Sequence, residues 1–153
     1  MAGDLPCFID FEASSLADES YPIEIAWSDP DGNIESHLIR PHDDWTDWSQ
    51  VAEETVHGIS RADLRQQGRE ARWVLDRAWS CLRYRVVASD APGFDLRWWR
   101  RLESAALRIC PAFGIRNSDD LYAMAACRRR CNTPQCDCEA RIQAAKDAAA
   151  SSH

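Results

Sequence analysis

At 153 residues the chain has room for one domain with a real core and not for two of ordinary size. No apolar run approaches the ~20 residues of a membrane helix, and the opening M-A-G-D-L-P lacks the basic-then-apolar pattern of a signal peptide, so a soluble protein with a cytoplasmic address and no membrane partner is expected. A formal net charge of -7 excludes a protein that grips nucleic acid by bulk attraction, while leaving room for a local basic face.

The first predicted element, residues 5–16, reads L-P-C-F-I-D-F-E-A-S-S-L. As a strand it sends Phe8, Asp10, Glu12 and Ser14 to one face and Cys7, Ile9 and Phe11 to the other, which sets two carboxylates side by side. Like charges that close are costly to desolvate unless a cation stands between them or one takes up a proton. Hard oxygen donors suit Mg2+ or Mn2+ rather than zinc. The alternative is a strand that ends at Asp10, with both acids solvated at a sheet edge.

After a polar turn, residues 22–28 alternate Ile23, Ile25 and Trp27 with Glu24 and Ala26. Asp29-Pro30-Asp31-Gly32 then turns the chain into a third strand at 33–40, so an antiparallel meander is predicted. Beyond the polar loop 41–47, Ser49 reads as the N-cap of a short helix over 50–56. His57-Gly58-Ile59-Ser60 ends that helix: Gly58 suits a left-handed cap, Ser60 suits capping 61–67, and His57 is expected to be structural.

Over 70–84 the residues Trp73, Val74, Ala78, Trp79 and Leu82 recur at helical spacing, and 85–89 reads as a short buried strand. A helix then a strand after a meander predicts a parallel crossover. A helix over 96–107 presents Leu96, Trp99, Leu102 and Leu107, with Asp95 at its start, just past a strand end, where open α/β sheets hold ligands. A last short strand is expected within 107–115, a helix capped by Ser118 over 119–129, and an Ala-rich helix over 138–150. Seven cysteines, an odd number without a secretion signal, speak against a disulfide framework. Cys127, Cys131, Cys136 and Cys138 are bunched but lack paired C-x-x-C units, so reduced thiols are the expectation and a structural Zn2+ the alternative.

Three features, in order, resemble the DEDDh family of 3′–5′ exonucleases, which takes in ribonuclease T, oligoribonuclease and polymerase proofreading subunits. Phe8-Ile9-Asp10-Phe11-Glu12 is similar to its first motif and His57-Gly58-Ile59-Ser60 to its H-G-I-[TS] turn. Val87-Ala88-Ser89-Asp90-Ala91-Pro92-Gly93-Phe94-Asp95 is similar to its second motif, in which an asparagine or similar residue precedes F-D. The resemblance covers almost the whole chain and implies a ribonuclease H-like α/β fold, a mixed sheet of about five strands (antiparallel meander, then parallel strands) flanked by helices. It implies that Asp10, Glu12 and Asp95 hold two Mg2+ or Mn2+ ions ~4 Å apart, which hydrolyse phosphodiester bonds at the 3′ end of single-stranded DNA or RNA and release nucleoside 5′-monophosphates.

The third motif departs from the family pattern. Members carry a histidine and, five positions on, a fourth acidic ligand, in a segment resembling H-R-A-x-x-D; here Ser151-Ser152-His153 stands where that histidine is expected. His153 would be the general base. The expectation for the single domain 1–153 is therefore either a truncated exonuclease missing its C-terminal end or a catalytically inactive nucleic-acid- or metal-binding module lacking one ligand. Ala13, Ser14, Ser15 and Leu16 are the expected contacts to the terminal nucleotide, and Arg97, with Arg100 and Arg101, the expected phosphate contacts. Trp98 and Trp99 offer stacking surfaces, although adjacent helical positions diverge by ~100° and at least one is expected in the core. The run Arg128-Arg129-Arg130 is expected to be solvated. A homodimer is left open, as is RNA against DNA.

Overall fold

The computed structural model describes residues 5–131 and Asp147. Five strands form one sheet in the order β3-β2-β1-β4-β5. β1 (Cys7–Ala13), β2 (Pro22–Ser28) and β3 (Ile34–Leu38) make the predicted antiparallel meander, with Ile9 opposite Trp27, Glu12 opposite Glu24 and Ala26 opposite Ser36. The turn between β2 and β3 closes on the Asp29 side chain, which accepts the amides of Asp31 and Asn33, while Gly32 takes φ 87°. β4 (Val87–Ser89) returns parallel to β1, and β5 (Arg116–Asn117) lies parallel to β4.

Helices make the crossovers. α1 (Gln50–Ala52) starts on Ser49, whose side chain accepts the Ala52 amide, and continues as a single wider π turn, Glu53–His57, rather than as α-helix through 56. That turn closes on Gly58, whose amide bonds the Glu53 carbonyl at φ 67°. α2 (Arg61–Gln67) opens with a full capping box between Ser60 and Asp63. α3 (Ala71–Leu82) and α4 (Pro92–Ala106) pack on each other and carry the chain across the sheet; α5 (Ser118–Cys131) follows β5. Among the described residues no helix is long and apolar enough to cross a membrane.

The alternation read in β1 sorts its two faces. Cys7, Ile9, Phe11 and Ala13 are buried with Ile25 and Trp27 of β2, beneath Val74, Leu75, Ala78 and Leu82 of α3 and Trp98, Trp99 and Leu102 of α4. Side chains of this size each contribute about 1.5–3 kcal/mol when fully buried. Tyr21, Ile23 and Leu64 form a smaller cluster under α2. The opposite face of β1 carries Asp10 and Glu12, as expected.

Four local expectations are corrected. The last strand lies at Arg116–Asn117 instead of within 107–115, because Leu107 and Ala112 adopt left-handed φ (51° and 56°) that no strand accommodates. Leu107 is the C-cap of α4, 90% exposed, and not part of its buried face. Leu75 takes the buried position on α3, while Trp73 turns outward under the Arg69 guanidinium and against His37. The amide of Asp119 bonds the Asn117 side chain, so Asn117 does the capping assigned to Ser118. The cysteine cluster's zinc-or-thiol alternative, the Arg128–Arg130 side chains, the Ala-rich helix and His153 lie outside the described residues.

Candidate active site

β1 outruns β4. The parallel pairing reaches only Cys7–Val87 and Phe8–Ala88, so Asp10 and Glu12 stand beyond the carboxyl end of β4, in the crevice where open α/β sheets place their chemistry. α4 begins at the same edge, with Pro92 in its first turn and Asp95 one turn in, 1% exposed. Ser89, the last residue of β4, orients that carboxyl. Its Oγ accepts the Ala91 amide at 2.9 Å, which leaves the hydroxyl proton to be donated to Asp95 Oδ2 in a short hydrogen bond. Asp10, Glu12 and Asp95 thus line one cavity of about 500 Å³, together with Leu16, Phe94 and His57.

The electrostatics of this cavity are one-sided. Burial, then the neighbouring Asp10 and Asp90, push Asp95 up to about 6, against the Ser89 hydrogen bond that favours the anion. Burial followed by Asp90 raises Asp10; burial followed by Asp10 and Glu24 raises Glu12; burial followed by Asp10 raises Glu24, which faces Glu12 across the ladder. Among the described residues no arginine or histidine forms an ion pair with any of these acids. His57 adds a neutral donor. Its Nδ1 accepts the Ile59 amide at 3.0 Å, which puts the ring proton on Nε2, buried without a partner, and burial holds its pKa low.

The remaining sequence candidates divide. Ala13, Ser15 and Leu16 line the carboxylate cavity, Leu16 being 72% exposed. Ser14 is fully buried; its hydroxyl and that of Ser15 both donate to Asp47 Oδ2 at 2.7 Å, pinning the end of β1 to the loop before α1. Arg97 turns from the cavity toward the 17–20 loop, reaching the Ala17 carbonyl, Asp18 and Ser20 at 3.3–3.4 Å. Arg100 is bonded to Glu103, and Arg101 to the carbonyls of Asp18 and Ser20. Both tryptophans are buried: Trp99 stacks on Phe113 at 3.9 Å, while Trp98 packs on Phe94, donates its indole N–H to Ser20 and lines the carboxylate cavity. Glu24, Asp90 and a cavity-lining His57 were not anticipated. The polar phase of β2 marks Glu24, but placing it beside Glu12 requires the register.

Hard oxygen donors that repel one another, with no counter-cation among the described residues, fit a divalent cation in chemistry. They are not drawn into a finished cage: among the described residues no three Asp, Glu, His or Cys side chains stand grouped so as to hold an ion.

No family model matches the chain, and no curated protein matches it in sequence. Solved structures do match its fold. The metal-free form of the E. coli exonuclease I–single-stranded DNA complex superposes with a TM-score of 0.62 at 17% identity, over 81% of this chain and 30% of that one. E. coli exonuclease I with a dT13 oligonucleotide gives 0.60 at 17% identity over 81% and 30%, and a product-bound exonuclease I gives 0.59 at 19% over 79% and 31%. The chain spans less than a third of the length of these proteins. At such identities the likeness is one of fold, the ribonuclease H-like mixed sheet that the motifs imply.

Proposed function

We propose that this chain is the catalytic unit of a metal-dependent 3′–5′ exonuclease acting on single-stranded nucleic acid. The observation that carries the reading is the meeting of Asp10, Glu12 and Asp95, from a strand and a helix far apart in sequence, on one cavity where no cation among the described residues pairs with them. These three carboxylates would hold Mg2+ or Mn2+. When bound, such ions supply water activation and charge stabilisation at the leaving oxygen.

The residues around them do the positioning. Ser89 fixes the Asp95 carboxyl, whose pKa of about 6 leaves it mostly ionised at neutral pH. His57 forms part of the cavity wall, its ring fixed by the Ile59 amide. Leu16 and Phe94 give the terminal base an apolar seat. Water adds to phosphorus as the bond to the 3′ oxygen breaks, a nucleoside 5′-monophosphate leaves, and the strand keeps a new 3′ hydroxyl.

The test is a 5′-labelled single strand incubated with Mg2+ or Mn2+ and with chelator. A ladder shortening from the 3′ end, abolished by chelator and by Asp10→Asn or Glu12→Gln, is expected. The open ligand arrangement favours a second reading, an inert module on the same fold that binds strands without cutting them. Binding of the intact strand with no shortening under either metal would establish that reading over the first.

A further inference from the structure

A second cavity, of about 350 Å³, lies between the 41–46 loop and α2, with Arg40, Arg61 and Arg65 on its walls against a single acid, Asp43. Trp48 links it to the first: His57 of the carboxylate cavity meets the indole edge-on at 5.9 Å, and the Arg61 guanidinium lies 5.1 Å over the ring.

Among the described residues neither Arg61 nor Arg65 forms an ion pair, and Arg40 has only the exposed Glu70 at 3.9 Å. Arg61 donates one terminal nitrogen to the Thr46 carbonyl at 2.9 Å, also hydrogen-bonds the Tyr21 hydroxyl, and leaves its Nε buried without an acceptor. Arg65 engages its Nε on the Arg61 carbonyl at a long 3.4 Å. The Tyr21 ring, stacked on Trp45 at 5.1 Å, forms part of the wall. Guanidiniums gathered on one wall repel one another until an anion joins them, and their planar forks suit the oxygens of a phosphate. In a chain of net charge -7 this excess is local.

We infer that this cavity is a phosphate site and that its occupant is a backbone phosphate of the single strand whose 3′ end lies among the carboxylates. The inference rests on the nuclease reading of the first cavity. It extends that reading by giving the bound strand a direction, past Trp48 toward α2.

The experiment measures fluorescence anisotropy of 5′-labelled oligothymidylates, from about 2 to 12 nucleotides, in chelator across a salt series. The intact chain is compared with Arg61→Gln/Arg65→Gln and with Arg65→Gln alone, because Arg61 also holds the Thr46 carbonyl. For the long strands the double variant is expected to bind about tenfold more weakly. Its log-affinity against log-salt slope should fall by about 1.4 and the single variant's by about 0.7, at ~0.7 for each phosphate charge no longer neutralised. The dinucleotide should show neither change. An unaltered slope at every length, or an equal weakening with the dinucleotide, overturns the inference. Thermal protection by millimolar inorganic phosphate, removed by the double variant but unaccompanied by any length-dependent slope change, overturns the strand as occupant in favour of free phosphate. A chain that never shortens a strand in Mg2+ refutes the nuclease reading separately, since the binding measurements involve no hydrolysis.

Discussion

Replacing Asp95 by asparagine tests whether the cavity holds its carboxylates at the expense of the fold. Asp95 is 1% exposed, and burial, with Asp10 and Asp90 beside it, carries its pKa from an ordinary 3.8 to about 6. An acid whose folded pKa exceeds its unfolded one holds its proton more tightly when folded. Its neutral form therefore supports the fold fully below 3.8, and that support drains away as pH rises through about 6. A rise of about two units corresponds to ~3 kcal/mol, which solvent reaching the open cavity reduces to about 1–2 kcal/mol.

Asparagine keeps an oxygen to accept the Ser89 hydroxyl and carries no charge. Asp95→Asn is therefore expected to be more stable than the wild type by about 1–2 kcal/mol near pH 8 in chelator, roughly 2–8 °C in Tm for a domain of this size. The advantage should vanish below about pH 4, where both side chains are neutral. Urea unfolding followed by tryptophan fluorescence across this range, at constant m value, reads it directly. A variant no more stable than wild type near pH 8, or one whose advantage persists undiminished in acid, refutes the reasoning.

Mn2+ at about a hundred times its dissociation constant should stabilise the wild type by about 2.7 kcal/mol and leave Asp10→Asn almost unmoved, read as Tm shifts. Ser89→Ala takes the hydroxyl away from both the Ala91 amide and the Asp95 carboxyl; a loss of about 1–3 kcal/mol in urea unfolding is expected, with the Asp95 pKa moving further up in a carboxyl NMR titration. Gly68→Ala would set a Cβ 2.3 Å from the Leu64 carbonyl oxygen and 2.6 Å from the Arg40 nitrogen, so a destabilisation of about 3 kcal/mol is expected by the same assay. Leu107→Gly removes a left-handed strain from an exposed cap at φ 51° and should raise stability by about 1 kcal/mol.

Most of the frame was legible because its signals are local. The alternation of 22–28 gave β2 to the residue, and Ser60 announced α2, since a strand face and a helix cap are set by neighbours a few positions apart. The errors fall where packing overrides pattern: Leu107 keeps helical spacing yet caps the helix, and Trp73 is apolar enough for the core but lies on an arginine. In the site, the D-x-E strand and the turn into Asp95 could be read from spacing. The roles of Glu24 and His57 could not, because one depends on cross-strand register and the other on a π turn that no periodicity announces. Arg97 illustrates the reverse, a residue whose charge suggested phosphate and whose guanidinium is committed to the 17–20 loop.

The outer strands of the sheet carry a consequence for handling the protein. β3 runs for five residues with Glu35 clamped by Arg77, and β5 runs for only two, beginning at an arginine. Short margins studded with charge are poor templates for a foreign strand. Concentrated solutions should accordingly resist fibril growth by edge-to-edge addition at these two strands.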